Sequence, residues 1–294
     1  MSFSETISSS CKINLRLKVT RKRSDGYHEL DTIFVPLPFP ADNIVIKEQE
    51  ESGVSFFSPE FPDLPAENNL AVKAALSYAS AAGISPRWHI DLEKSVPVAA
   101  GLGGGSADAA AVLRLLDRRY RALPEEKLAE IAVKLGADVP FFLKNRPMRA
   151  RGIGEELEDF VLPENMPEIL IVFPGFPISA RWAYQALAKE NIFSDDGVTT
   201  EDFRAAFAHP DRADWEYLVR NDLAFAIWEK FPLAGIIRDA LKKSGAWCVQ
   251  ISGSGSSLFA LFPDAETASA AASGLRKSEP GNTCTRIFTG GKEW

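Results

Sequence analysis

The stretch Val96-Pro97-Val98-Ala99-Ala100-Gly101-Leu102-Gly103-Gly104-Gly105-Ser106-Ala107-Asp108 constrains this chain more than any other part of it. It joins an expected strand to an expected helix through residues almost devoid of side chains, so backbone N–H groups there are able to close on an anion. A phosphate would meet the open amide donors at the N-terminus of the Ser106 helix, with the helix dipole adding a favourable field. The loop has no Lys or Arg, which leaves the cradling to amides. It fits neither familiar nucleotide fingerprint. The Lys-Ser/Thr ending of a P-loop is missing, and the sixth position from Gly101 is Ser106, where the dinucleotide pattern needs glycine. A tight connector without a ligand is the plain alternative. A second small-residue loop, Ser252-Gly253-Ser254-Gly255-Ser256-Ser257, lies between two expected strands. It reads either as a hairpin turn or as close backbone approach of Gly253, Ser254 and Gly255 to a second part of the same ligand.

Around these loops the patterning is mixed. Cys11, Ile13, Leu15, Leu17 and Val19 alternate with Lys12, Asn14, Arg16 and Lys18, which predicts a strand with one wet face. Further strands are expected over residues 31–35, 43–47, 54–57 and 88–92. Leu70, Ala74, Ala75, Tyr78 and Ala82 recur at helical spacing before Gly83 stops the helix. Helices follow over 106–119 and 124–135, with Pro124 suited to a first helical position and Gly136 to the residue just past the end. The Pro- and acid-rich stretch at 162–168 reads as a boundary. Beyond it come a strand at 169–173, several helices between 182 and 244, strands at 247–251 and 258–262, a helix at 265–276 and a last strand near 285–288. This order predicts two α+β domains, residues 1–162 and 163–294, rather than a uniform βαβ repeat.

Composition agrees: at roughly 150 residues per domain, 294 residues suggest about two. With 46% hydrophobic and 25% charged residues, the chain is neither disordered throughout nor fibrous. A net charge of -7, from 33 Lys plus Arg against 40 Asp plus Glu, argues against nucleic acid as a partner, while a local basic patch remains able to hold a small anion. No apolar run approaches the roughly 18 residues that would cross a bilayer, so no membrane partner is expected, and residues 1–10 show no signal or transit pattern. Three widely spaced cysteines, Cys11, Cys248 and Cys284, give no metal or disulfide framework and point to a reducing cytoplasm.

Three segments taken together resemble the GHMP kinases. They are Lys12-Ile13-Asn14 with Asp25-Gly26-Tyr27-His28-Glu29-Leu30, then residues 97–106 with Gly136-Ala137-Asp138-Val139-Pro140, then residues 251–256. The similarity runs in order over residues 11–262, and the DGYHEL and GADVPFF segments are more specific than either glycine loop. The resemblance implies a two-domain α+β fold with its active site in the cleft between domains. Within the family it points to the branch that moves the ATP γ-phosphate directly, in line, onto the 2-hydroxyl of a cytidine diphosphate-linked methylerythritol, in the non-mevalonate route to isoprenoid precursors.

By that resemblance Asp138 is the base and Lys12 its partner. An alcohol is a poor nucleophile at neutral pH, so a carboxylate takes its proton while a cation keeps that carboxylate ionised and favours the negative transition state. Pro97, Gly101, Gly103, Gly104, Gly105 and Ser106 would cradle ATP phosphates, with Asn69 and Lys94 lining the nucleotide pocket. Mg2+ is expected with ATP, its protein ligands unknown. Asn14, Tyr27, His28 and Tyr184 would hold the cytidine diphosphate substrate, an aromatic ring stacking on cytosine. The plain readings stay open: Asp138 as a cap, Asn69 as a helix cap, Lys94 as a solvated loop residue, Tyr27 and His28 as turn residues, and Tyr184 as helix core. Lys12, Arg16, Lys18, Arg21, Lys22 and Arg23 form a basic run suited to phosphorylated ligands. Lys144-Asn145-Arg146-Pro147 stands where related sequences have a Gly-containing turn, and Arg146 or Arg149 is offered as a phosphate contact. A monomer or homodimer is expected. Another small-alcohol kinase of the family, or a silent nucleotide-binding protein on the same fold, is the alternative.

Overall fold

The computed structural model describes residues 3–162, 166–190, 193, 197–211, 213–278 and 286–289. Its elements run in the order β1 (Ser4–Lys22), β2 (His28–Glu48), β3 (Gly53–Phe57), α1 (Leu70–Ala82), β4 (Arg87–Glu93), α2 (Gly104–Tyr120), α3 (Glu125–Leu135) and α4 (Val139–Lys144). There follow β5 (Met148–Gly152), β6 (Glu156–Asp159), β7 (Glu168–Phe173), α5 (Ala180–Glu190), α6 (Thr200–Ala208), α7 (Trp215–Leu218) and α8 (Ala224–Lys230). The chain continues through α9 (Pro232–Lys243), β8 (Cys248–Ile251), β9 (Leu258–Phe262), α10 (Ala265–Lys277) and β10 (Arg286–Thr289). By packing, the chain divides into two units that are discontinuous in sequence. One holds residues 1–11, 40–98 and 103–146, and the other residues 12–39, 99–102 and 147–294. A single cut after residue 162 follows chain order; this division follows packing, and its boundaries at 11/12 and 39/40 fall inside β1 and β2.

In the first unit β4 pairs antiparallel with the later part of β2, Ile44 opposite Leu92 and Ile46 opposite Ile90, and parallel with β3. Helix α1 begins where the Asn69 side chain accepts the Ala71 N–H at 2.8 Å, and ends at Gly83 in the left-handed region, φ 66°. Its buried Ala71, Ala74, Ala75 and Ala79 face α2, which buries Ala107, Ala109, Ala110 and Ala111. Small residues on both faces let the helix backbones approach closely, and the larger Tyr78 and Leu113 fill the remaining space.

In the second unit the four strands β10, β7, β9 and β8 form an antiparallel sheet in that order. Leu170, Val172, Leu258, Ala260 and Phe262 pack with Ile237 and Leu241 of α9 and Ala268, Ala272 and Leu275 of α10. Full burial of each Leu or Phe side chain contributes about 1.5–3 kcal/mol. The earlier part of β2 pairs with β5, Thr32 opposite Ala150, and β5 with β6.

Several expectations need correction. β1 has no wet face over its alternating stretch: Lys12 (4% exposed), Asn14 (2%), Arg16 (3%) and Lys18 (3%) are as buried as their apolar neighbours. The strands expected at 31–35 and 43–47 are one strand, β2. Pro124 is the residue before α3 rather than its first, while Gly136 is, as expected, the residue just past the helix end, with an extended φ of 166°. Pro140 sits in the first turn of α4, a position that tolerates proline because the N–H it lacks would have no partner there. Asn145 ends α4 at φ 48°, doing what glycine does in a left-handed turn. Residues 163–165 of the expected boundary, Cys284 and Thr285 lie outside the described residues. Among the described residues no helix is long and apolar enough to cross a membrane.

Candidate active site

The buried polar face of β1 is satisfied by chain far downstream. Arg16 donates to the carbonyl oxygens of Tyr217 and Leu218 at 3.0 and 2.7 Å. Lys18 pairs with Asp222 at 3.0 Å, whose other oxygen accepts the Val19 N–H at 2.9 Å. Leu17 bonds to this downstream segment through both backbone groups, its N–H to the Arg220 carbonyl and its C=O from the Asp222 N–H. A buried cation is expensive unless paired in this way. The basic run is therefore largely consumed within the fold. Arg21 and Arg23 pair with Glu29, Arg23 also with Asp25, and Arg149 engages Asp31 at 2.7 Å and the Val198 carbonyl.

Lys12 differs from Arg16 and Lys18. Its ammonium donates to Asn14 Oδ1 at 2.5 Å and lies 5.2 Å from the centre of the Phe34 ring. Asn14 is itself oriented by donating to Thr32 Oγ1 at 2.8 Å, and Thr32 in turn donates to the Arg16 carbonyl at 2.6 Å. Gly253 of the second glycine loop packs against this pair: a Cβ there would meet Asn14 Oδ1 at 3.1 Å and Lys12 Nζ at 3.3 Å.

The second glycine loop is both things the sequence left open. It is the turn of the β8–β9 hairpin, closed by the Ser252 N–H to the Ser257 carbonyl at 2.9 Å. It is also a site of close backbone approach, with residues 99–102 of the first loop as the partner. The Ser257 N–H bonds to the Ala100 carbonyl at 3.0 Å and Ser252 Oγ to the Gly101 carbonyl at 2.9 Å. The Lys12 N–H takes the Leu102 carbonyl at 3.0 Å. Past Leu102, Gly103 has φ 74° and starts α2 with no side-chain cap, which leaves the first-turn amides of Gly104, Gly105 and Ser106 without a side-chain acceptor at the capping position. Pro97 is buried at the entry to the loop.

His28 stacks on Tyr184 with ring centroids 5.1 Å apart and planes at 24°, and Phe193 lies 6.2 Å from His28. Burial, helped by the nearby Lys22 charge, holds His28 below its ordinary value, so it is neutral at pH 7. Its Nε2 is buried without a hydrogen-bond partner among the described residues. A buried unsatisfied ring nitrogen is costly in the isolated protein and is suited to a polar ligand edge.

The region 69–146 matches the model described as GHMP kinases N terminal domain, and 205–281 the model described as GHMP kinases C terminal. A 4-diphosphocytidyl-2-C-methyl-D-erythritol kinase of Nitratidesulfovibrio vulgaris (strain DP4) is 37% identical over 269 residues, covering 90% of this chain and 93% of the relative. The chain belongs to the GHMP kinase family. The enzyme of the same name from Chlorobium chlorochromatii (strain CaD3) is 40% identical over 267 residues, covering 90% of each chain. The crystal structure of a 4-(cytidine 5'-diphospho)-2C-methyl-D-erythritol kinase superposes with TM-score 0.81 at 37% identity over 97% of this chain and 98% of the other. The homoserine kinase of Cytophaga hutchinsonii, TM-score 0.75 at 18% identity over 98% and 94%, shares the fold. As a GHMP kinase the protein is an ATP-dependent small-molecule kinase of α+β fold.

For the remaining expected residues of this kinase, the structure gives the following placements. Asp138 is the residue before α4, in helical conformation, and its side chain does not cap that helix. Asn69 caps α1. Lys94 is not solvated: its side chain is 8% exposed and is held by Asp42 and Asp108. Tyr27 is 60% exposed in the turn between β1 and β2, where Asp25 Oδ1 accepts its N–H. Tyr184 is half-buried against Leu17, Leu30 and Leu187 while stacking on His28. Sequence reasoning missed Thr32, Phe34, Phe193, Asp42 and Asp108. Thr32, Phe34, Phe193 and Asp42 belong to no motif; Asp108 closes the glycine stretch, and its signal is that of an acidic residue on the otherwise apolar Ala face of the helix after the glycines.

Proposed function

We propose that this kinase transfers the ATP γ-phosphate to the 2-hydroxyl of 4-diphosphocytidyl-2-C-methyl-D-erythritol. The observation that carries the reading is 37–40% identity over about nine tenths of the chain to relatives bearing that name. The His28–Tyr184 stack supports it, since a neutral imidazole beside an aromatic face suits a pyrimidine: the ring stacks and the orphaned Nε2 is available to the base's polar edge. Tyr27, exposed nearby in sequence, and Asn14 complete the proposed substrate contacts.

In this reading Asp138 accepts the proton of the attacking hydroxyl, and the Lys12 ammonium, fixed by Asn14, stabilises negative charge as the phosphoryl group moves in line. The amides of Gly103–Ser106 bind ATP phosphates, with Pro97 and Gly101 shaping the approach and Asn69 and Lys94 on the nucleotide side. Gly253 backs Lys12 and Asn14, and Ser254 and Gly255 belong to the same proposed loop. Among the described residues no group of three His, Cys, Asp or Glu side chains is placed to hold a metal ion. Mg2+, when bound with ATP, would neutralise charge between its phosphates.

The test is ADP release with the cytidyl substrate, compared with homoserine, mevalonate and galactose. Turnover of the cytidyl compound alone is expected, with Asp138→Asn lowering kcat by on the order of 10² or more. No turnover above background by the folded protein would sink the proposal.

A further inference from the structure

A buried ion triad lies directly behind the first turn of α2. The Lys94 ammonium pairs with Asp42 and, at 2.8 Å, with Asp108; all three side chains are 8% exposed or less. Asp108 sits one helical turn after Gly104, on the same face. Asp42 does more than pair: its Oδ1 accepts the N–H groups of Ser95 and Val96 at 2.7 and 2.8 Å. One carboxylate thus shapes the turn that leads into Pro97 and the glycine loop, and orients the cation that reaches the helix. The link to the helix is tight. A Cβ on Gly104 would lie 2.9 Å from Val96 Cγ1 and 3.3 Å from Lys94 Nζ, so the first residue of α2 rests on this turn with no space between.

The arrangement is costly. Two carboxyl groups and one ammonium are withdrawn from water together, and Asp108 Oδ1 is buried without a hydrogen-bond partner among the described residues. Burial and the Asp42 charge, against the pull of Lys94, push Asp108 up to about 7. Hydrophobic residues of similar volume would stabilise the fold as well or better. A fixed position for the loop is what such an arrangement provides in exchange.

We propose that Asp42 and Asp108 are positioning residues for nucleotide binding, holding Lys94 against Gly104 and thereby fixing the amides of Gly103–Ser106 in the geometry that accepts phosphate. This rests on the reading of that loop as the ATP-phosphate site. It assigns to two carboxylates, which themselves repel a triphosphate, a role through the backbone they hold.

The experiment uses the full chain and compares wild type, Asp108→Asn, Asp42→Asn and Lys94→Arg. ADP affinity is measured by calorimetry, and KM for ATP, KM for the alcohol and kcat by ADP release. For Asp108→Asn we expect ADP affinity to fall and KM for ATP to rise roughly tenfold, with KM for the alcohol and kcat within about threefold, and Lys94→Arg to fall between it and wild type. ADP affinity unchanged in folded Asp108→Asn overturns the proposal, as does a uniform change of all three kinetic constants. If Asp42→Asn does not fold, Asp108→Asn decides alone. The ADP arm needs no alcohol, so it judges the triad even if the cytidyl compound proves not to be the substrate.

Discussion

Ser252 Oγ donates to the carbonyl oxygen of Gly101 at 2.9 Å, and a Cβ on Gly101 would stand 2.0 Å from the Ser252 carbonyl oxygen. The two glycine loops, 151 residues apart in the chain, are packed backbone on backbone at this point. Gly101 has φ 78°, so a side chain there meets both steric exclusion and a left-handed backbone.

Gly101→Ala is expected to cost about 3 kcal/mol or more, the sum of overpacking and left-handed strain. Gly105→Ala, where the nearest atom would be 3.7 Å away, should change stability by about 1 kcal/mol at most. Urea unfolding of both variants checks this; equal stabilities would mean that the loops separate readily.

Lys12→Met keeps the stem and removes the charge. It is expected to lower kcat by on the order of 10² while leaving ADP affinity near wild type, because the lost interaction forms with the transition state. Near-normal kcat would show that the ammonium held by Asn14 serves structure alone.

His28 titrates below its ordinary value because burial, with Lys22, disfavours the imidazolium. Its contribution to stability is therefore complete above about pH 6.5 and lost as pH falls toward its folded value. KM for the cytidyl substrate should stay flat from pH 7 to 8. Tyr184→Ala should raise that KM roughly tenfold, in line with about 1–3 kcal/mol for a base stacked on an aromatic ring, and Tyr184→Phe should not. An unchanged KM in Tyr184→Ala would remove the ring from the substrate site.

Asp108 titrates near 7 in the fold, so the folded state binds its proton more tightly than the unfolded chain. The sign follows from linkage: the stabilisation is complete below about pH 4 and disappears as pH rises to about 7. The difference in stability between wild type and Asp108→Asn should therefore drift with pH over that window and level off above it. Parallel curves from pH 5 to 8 would contradict the shift.

Local signals carried much of the fold. Strands β4 and β9 follow their apolar spacing, α1 lies between Asn69 and Gly83, and α10 starts at Asp264, whose side chain accepts the Thr267 N–H at 2.7 Å. Where expectation failed, the deciding partner lay far along the chain. Alternation in β1 reads as one wet face because a sequence window cannot contain Leu218 or Asp222, which take up Arg16 and Lys18. Strand β5, Met148–Gly152, is not among the expected strands; it pairs with β2 and is charge-matched by Asp31 and Glu158. Of the proposed site, Lys12 and His28 stand out in the sequence as residue types in motifs. The Asp42–Lys94–Asp108 triad was not, since its members are 52 and 14 residues apart and become one group through packing alone.

The polar face of β1 has a consequence for how the molecule comes into being. During synthesis Lys12, Arg16 and Lys18 emerge first, but the carbonyls and carboxylate that receive Arg16 and Lys18 belong to residues 217–222, and Gly253, which backs Lys12, comes later still. Until residues 217–222 are made, Arg16 and Lys18 lack these acceptors, so nascent chains shorter than about 220 residues should be cleaved by protease around residues 16–19 more readily than the full chain. Part of one strand's polar face is closed only by chain made some 200 residues later.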